Sequence, residues 1–500
     1  MTLARARVVA PEDALWSTHL AWMRDALWNT HLAWLRESTG QRIRAGRGSA
    51  RRSLSPIQRY LLIGSGATLL TGGVLAPLPT AIALIALLTA VYLVALAFRL
   101  IVFWRGVCAP SVLFVSDVAA RALPAASLPV YTVLVAAYKE PEVIDRLISS
   151  LAALEYPADR LDVKILLEAD DAPTLAAARA ALPPAHMQIV AVPVSEPRTK
   201  PKALNYGVRN ARGKFLTIYD AEDRPEPLQL RRAVSAFRQI PDEVGCIQAK
   251  LSYHNVSQNV ITRWFTGEYA VWFENLLPGL ASLDLPLPLG GTSNHFRMDA
   301  LERVGGWDAY NVTEDADLGI RLYRAGYSVK VLESTTLEEA NSDFINWEKQ
   351  RSRWYKGYLQ TWLVHMREPR RLWSDLGARG FFFFNLFIGG TPLLTLLNPV
   401  FWALSWLWLL GRWSVIAQLF PPWLYYAAVL SLVLGNLSVL YMGVVSARAT
   451  GRPALVPVML LAPVYWGMMS LAAIKAFVQL LYAPTFWEKT THGLDRPAAV

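Results

Sequence analysis

The sequence predicts an α/β domain with a mixed, mostly parallel sheet, inserted between transmembrane α-helices. Three observations lead there. Membrane-length apolar segments lie near both ends of the 500-residue chain, whose hydrophobic content is 53%. Between Arg105 and Arg379 no comparable segment occurs and charged residues are frequent. Within that middle region short apolar runs alternate with helix-like stretches, the alternation of an open α/β sheet.

Residues 61–77 and 79–104 are apolar, are broken by Pro77-Leu78-Pro79 and carry no charge between Arg59 and Arg99. Residues 381–410 and 422–445 are also free of charge. A helix needs about 20 such residues to cross the hydrocarbon core, so two spans are expected over 59–105 and two over 380–446. Residues 454–483 contain Pro457, Pro463 and Lys475, leaving a fifth span and a re-entrant or interfacial piece both open. Arg42, Arg44, Arg47, Arg51, Arg52 and Arg59 precede the first span, Arg99 and Arg105 close the second, and Arg448 and Arg452 follow a later one. Positive charge collects on the cytoplasmic side, which puts the N-terminus and the middle domain in the cytoplasm.

The net charge of +10 suits that arrangement and attraction to anionic headgroups. Nucleic-acid binding is not expected, because no basic–aromatic patch stands clear of the membrane flanks. No apolar h-region begins near Met1, so a cleaved secretory signal is not expected. Cys108 and Cys246 are the only two cysteines, which excludes a disulfide framework or a cysteine zinc site. In the N-terminal segment 1–58, residues 13–24 are repeated at 25–36 with only Ser17/Asn29 and Met23/Leu35 differing. This reads as a duplicated tolerated segment or as a Trp-rich helix lying on the bilayer. His19 and His31 are not at ligand spacing.

In the middle, strands are expected at 130–137, 163–167, 188–194 and 215–219, with helices at 142–154 and 174–182 between them. Three strands run into polar clusters: Tyr138-Lys139-Glu140, Glu168-Ala169-Asp170-Asp171 and Asp220-Ala221-Glu222-Asp223. Ligands of open α/β sheets bind beyond the carboxyl ends of strands, so these clusters should converge. Arg198, Lys200 and Lys202 precede a helix and suit a diphosphate. Gly290-Gly291-Thr292 permits close backbone approach. In Thr313-Glu314-Asp315 a carboxylate can serve as general base, and Asp317 is placed to cap the helix. His295 reads as structural. Gln350, Arg353 and Trp354 share one face of an amphipathic helix at the membrane surface.

Three acidic stations in this order, followed by Gln350-x-x-Arg353-Trp354, resemble the processive family 2 glycosyltransferases: cellulose, chitin, hyaluronan and curdlan synthases. The resemblance covers residues 129–365. It implies a GT-A (nucleotide-diphospho-sugar transferase) domain at 129–345 and interfacial helices at 346–375. Tyr138 and Glu140 would flank the nucleotide base, with Asp170 or Asp171 hydrogen-bonding it. Lys200, Lys202 and Arg353 would bind the diphosphate. Asp220, with Glu222 or Asp223, would hold Mg²⁺ or Mn²⁺. Asp315, beside Glu314, would be the base, and Gly291, Thr292, Gln350 and Trp354 would hold the acceptor. The sequence departs from the family in reading Glu-Ala-Asp-Asp-Ala where Asp-Asp-Gly is usual, and in placing Glu222 where a second Asp is usual. The tail 484–500, with Thr490, Thr491 and His492, resembles the gating loop of cellulose synthases and would cover the nucleotide.

The resemblance implies inverting transfer from a UDP-sugar that extends a β-linked polysaccharide and moves it across the membrane. Its implied partners are the growing polysaccharide, the lipid bilayer and accessory secretion subunits. Its implied location is a bacterial inner (cytoplasmic) membrane, spanned several times, with the catalytic domain in the cytoplasm. Two alternatives stay open: a non-processive transferase acting on a lipid-linked acceptor, and an inactive membrane assembly subunit.

Overall fold

The computed structural model describes residues 48–490, Arg412 excepted. The tandem repeat, Arg42, Arg44, Arg47, Thr491 and His492 lie outside the described residues. The architecture below is that of the compact unit Ala50–Val500.

Eight strands form one sheet: β1 Val112–Leu113, β2 Tyr131–Ala137, β3 Leu161–Glu168, β4 Met187–Val192, β5 Phe215–Tyr219, β6 Val244–Tyr253, β7 Asn294–Arg297 and β8 Ser328–Glu338. Their order across the sheet is β1-β8-β6-β7-β5-β2-β3-β4. All neighbours are parallel except β7, which runs antiparallel to both β5 and β6. The four expected strands are β2 to β5, and β2 pairs in register with both β3 and β5, Val133 opposite Val163 and Thr217. Every residue of β3 is buried, Asp162 and Lys164 included. These two pair at 3.1 Å, and Thr132 donates to Asp162 at 2.9 Å. Buried charge is tolerated only with such partners.

The apolar segment 61–77 forms the helix Pro56–Leu75, started by a capping box between Ser55 and Gln58. Its neighbour Pro77–Cys108 begins with proline at its first position, where the missing N–H has no intrahelical partner to lose. Among the described residues four helices are long and apolar enough to cross a membrane: Pro77–Cys108, Pro369–Gly411, Pro422–Ala449 and Ala462–Tyr482. Pro56–Leu75, rich in Gly, Ser and Thr, is not one of them. The ambiguous segment near 455–481 resolves into a short helix Val456–Leu460 followed by the long helix Ala462–Tyr482. Within Pro369–Gly411, Gly377 has φ 64°, a backbone state suited to glycine, and it kinks the first turns away from the apolar portion.

The helix Phe344–His365 carries Gln350, Arg353 and Trp354. The amphipathic reading needs correction, because this helix is covered on several sides. Gly357 lies so close to Thr313 that an added Cβ would sit 2.3 Å from its hydroxyl oxygen. Gln360 accepts from Val312 N (3.2 Å), and Asn311 Nδ2 donates to Thr361 (2.9 Å). On the opposite side Lys356 donates to Gln479 (3.1 Å) and Lys475 donates to Glu348 (2.7 Å), binding the helix to Ala462–Tyr482.

Candidate active site

A cavity of about 640 Å³ opens at the carboxyl ends of the strands. Tyr138 and Glu140 after β2, Glu168 at the end of β3, Asp220 after β5 and Glu338 at the end of β8 all line it. The opposite wall is Gly291, Glu314 and Asp315, together with Gln350, Arg353 and Trp354. The convergence expected from the sequence is therefore present in space. From this wall the cavity continues past Trp354 and Tyr358 between the membrane-length helices, reaching Leu96, Thr395, Asn398 and Val439.

Lys200 links the Asp220 turn to the glycine loop. It pairs with Asp220 and donates to the Gly291 carbonyl at 2.7 Å. Burial opposes its charge, but Asp220 and Glu314 outweigh that and raise its pKa, so the ammonium persists. Arg353 donates to the Glu488 carbonyl (3.4 Å) and stacks 4.7 Å over Trp487. It lies within the field of Glu314, Asp220 and Asp315. Gly291 separates two carboxylates: a Cβ there would lie 3.3 Å from Asp315 Oδ2 and 4.0 Å from Asp220 Oδ2.

Five expected residues, Asp170, Asp171, Lys202, Asp223 and Thr292, do not line the cavity. Asp171 is buried, caps the helix Ala172–Ala180 and accepts from Lys139 N at 2.5 Å, so it braces the Tyr138 loop. Lys202 is buried against both Glu168 oxygens at 2.8 Å. Asp223 accepts from Asp220 N (2.8 Å) and contacts the Thr292 hydroxyl, which also reaches the Ile218 carbonyl at 3.1 Å. Thr292 and Asp223 thus tie the acidic turn to the glycine loop. Asp170 is partly exposed and pairs with Arg198 at 2.6 Å, and Arg198 lines the cavity.

Glu314 and Asp315 stand at the start of the helix Glu314–Arg324. Burial, then the neighbouring Asp315, raises the Glu314 carboxyl well above its ordinary value. Burial raises Asp315 too, but the Ala316 N–H (2.7 Å) and Lys200 oppose the shift. Asp315 is thereby the more readily ionised of the two. Asp317 does not cap the helix. It is buried, paired with Arg321 (2.7 Å), and accepts from His365 Nε2 (3.0 Å) while Arg324 donates to His365 Nδ1 (2.9 Å). Despite its burial those cationic and hydrogen-bonding partners hold its carboxyl down to about 2. His295 is fully buried, bonds Tyr131 at 2.7 Å and is pushed down to about 3, which is the neutral structural role read from the sequence.

Further residues complete the site. The Glu338 carboxyl is raised by burial and by Asp223, Asp220 and Glu222. Glu168 faces the cavity as the Lys202 partner. The segment after Tyr482 runs from the helix Phe344–His365 to the Tyr138 loop: Lys356 donates to the Phe486 carbonyl (2.6 Å), Gln360 to that of Pro484 (2.8 Å), and Lys489 contacts the Tyr138 and Lys139 carbonyls. Thr490 is buried and lines the cavity. Glu338, Lys356 and Gln360 leave no motif or periodic signal, because their contacts depend on segments distant in sequence. Glu168 instead stands in the acidic cluster at the end of β3, and Lys489 and Thr490 in the tail that resembles a gating loop.

Among the described residues no three His, Cys, Asp or Glu side chains converge to cage a metal by themselves. Asp220 and Glu222 do face the cavity, and Asp223 and Glu338 add negative charge beside them. This is an oxygen donor set for a hard divalent ion that takes one or two carboxylates and completes its shell with phosphate oxygens.

Residues 129–357 match the family described as glycosyltransferase like family 2. Over this stretch, less than half of the chain, the sequence is similar to that family. A probable glycosyltransferase of Bacillus subtilis (strain 168) is 25% identical over 271 residues, covering 52% of this chain and 64% of the relative. A beta-monoglucosyldiacylglycerol synthase of Trichormus variabilis is 28% identical over 262 residues, covering 50% and 55%. The chain thus spans less than two thirds of the length of these relatives. A mannosyltransferase of Pyrobaculum calidifontis, solved with GDP-mannose and Mn²⁺, superposes with a TM-score of 0.50 at 19% identity, over 80% of this chain and 99% of that one. That likeness establishes the GT-A-type α/β fold expected from the sequence.

Proposed function

We propose that this chain is a membrane-embedded, inverting hexosyltransferase that moves a sugar from a UDP-sugar to a hydroxyl of an acceptor presented from the membrane. The observation that carries this reading is the continuity of one cavity from Lys200 and Asp220, past Asp315, to helices of membrane length. As the acceptor oxygen bonds to the anomeric carbon, the bond to the diphosphate oxygen breaks and the hydroxyl proton passes to Asp315. A single in-line displacement inverts the anomeric centre. Lys200 and Arg353 place positive charge beside the departing diphosphate. Asp220 and Glu222 would hold Mg²⁺ or Mn²⁺, which when bound neutralises charge on the leaving group. Tyr138 and Glu140 border the end where the base would lie, with Lys489 beside them and Arg198, paired to Asp170, at its edge.

Basic residues support a cytoplasmic catalytic domain of an inner-membrane protein. Arg51 lies over the Tyr310 ring and Arg452 donates to Ser252 at 3.0 Å, so both flanks meet the domain. The relative named for glucosyldiacylglycerol synthesis favours a lipid acceptor. Processive extension, with accessory secretion subunits, is the second reading, favoured by Trp354 and Gln350 in the cavity wall. Purified chain in lipid with Mg²⁺ or Mn²⁺ and labelled UDP-sugars separates them. A single sugar on lipid supports the first reading and a long ladder the second. Absence of both transfer and donor hydrolysis with every donor would leave an inactive assembly subunit.

A further inference from the structure

Arg99 lies inside the membrane-length helix Pro77–Cys108, yet its side chain lines the cavity. Among the described residues its guanidinium has no hydrogen bond or ion pair, and its one close contact is the Phe387 ring, 5.6 Å from the centroid. The groups that face it come from three other elements. Phe387 belongs to the turn Phe384–Gly389, Glu268 to the helix Val260–Tyr269, and Tyr355 and Tyr358 to Phe344–His365; Tyr92 is on its own helix.

Glu268 is the carboxylate that acts on Arg99, and it is already satisfied. Arg351 grips both its oxygens at 2.8 and 2.5 Å, and the Tyr465 hydroxyl donates to it at 2.8 Å. Two guanidiniums therefore face one carboxylate, which leaves one positive charge at the membrane end of the cavity. Ionisable groups at membrane depth are costly and face functional cavities. A guanidinium offers paired donors suited to a phosphate. Around it the cavity wall is apolar at Leu96, Leu394, Val439 and Met442, a surface for acyl or prenyl chains. Tyr358 and Asp315 line the same cavity as Arg99, so a headgroup held at Arg99 shares its chamber with the proposed base.

We propose that Arg99 binds the phosphate of an anionic membrane lipid that carries or constitutes the acceptor. This rests on the reading of a membrane-presented acceptor and narrows it to phosphate-bearing lipids over neutral diacylglycerol.

The test uses the full chain in dodecyl maltoside micelles, without donor. Tryptophan quenching is titrated with tail-brominated phosphatidic acid and, separately, with tail-brominated diacylglycerol, which differ only in the phosphate. Phosphatidic acid is expected to bind roughly tenfold to a hundredfold more tightly, the range for one charge-assisted contact. Arg99→Gln should erase that preference and Arg99→Lys should keep part of it, with UDP affinity by calorimetry unchanged in both as the control for folding. Equal binding of the two lipids, or a preference that survives Arg99→Gln, overturns the proposal. Displacement of the brominated lipid by inorganic phosphate at comparable concentration would also overturn it, assigning the site to a soluble anion. A lipid preference lost on Arg99→Gln, together with no sugar transfer to any membrane acceptor, would support the Arg99 site and overturn only the broader transfer reading.

Discussion

The ammonium of Lys200 is paired with the carboxylate of Asp220, the residue placed to hold a divalent ion. Lysine and metal cannot both neutralise that oxygen in the same way. In Lys200→Met, Mn²⁺ binding without nucleotide is expected to tighten, while turnover falls roughly 10²–10³-fold through the lost charge beside the diphosphate. Mn²⁺ titration by electron paramagnetic resonance reads the first effect. Unchanged affinity would show that Lys200 does not compete for Asp220.

Asp315→Asn is expected to lower turnover roughly 10²–10⁴-fold, as loss of a general base does, with UDP affinity by calorimetry nearly intact. Burial raises the Asp315 carboxyl, with Lys200 opposing and Asp220 adding to the shift. Its basic form is therefore lost at a higher pH than that of an ordinary carboxylate. Turnover should decline as pH falls from about 7 to about 5 while the protein stays folded. A flat profile over that interval would move the base elsewhere.

Gly357→Val is expected to act through packing. The added carbon meets Thr313, whose methyl and hydroxyl lie 2.5 and 2.3 Å from the Cβ position. Overpacking of this kind costs about 1–3 kcal/mol, and the displaced turn carries Glu314 and Asp315. Both Tm and kcat should drop, and Thr313→Ala should recover part of each. Wild-type kcat in Gly357→Val would mean that the Thr313 turn tolerates the shift.

Trp354→Ala and Arg353→Ala should separate acceptor from donor. Trp354 packs 5.6 Å from Phe265 and lies under the Arg351 guanidinium at 4.5 Å, well placed to wall the acceptor path. Its loss should raise the acceptor KM or shorten products, with UDP affinity little changed. Arg353→Ala should weaken UDP, because its charge reaches the diphosphate. Equal effects of both variants on UDP would leave Trp354 without an acceptor role.

Strands β2 to β5 were legible because each is a short apolar run that ends in a polar cluster. Strands β6 and β8 were not, since Gln248, Lys250 and Glu333 interrupt them. Those polar groups are satisfied only by distant partners: Lys250 by Glu274 (2.5 Å) and Glu333 (2.8 Å), and Gln248 by the 290–292 loop. Strand β7 follows paired glycines and reads as loop, although it is the antiparallel piece that sets Gly291 between Asp220 and Asp315. Each acidic cluster could be located from sequence. Which carboxylate faces the cavity could not, because Asp171 and Asp223 differ from their neighbours only in backbone direction at the turn. The roles of Glu338 and Arg99 arise from contacts across hundreds of residues and leave no local pattern.

The helix Ala462–Tyr482 passes directly into the segment that ends with Lys489 on the Tyr138 loop. One end of this continuous piece is long and apolar enough to cross a membrane and the other rests on the Tyr138 loop, beside the proposed nucleotide site. It is fastened midway to Phe344–His365 by Lys356 and Lys475. Where that helix spans a bilayer, a tilt, the usual response to a thinner one, is expected to shift the far arm on the Tyr138 loop. Bilayer thickness then becomes a lever on donor affinity, transmitted mechanically and needing no second ligand.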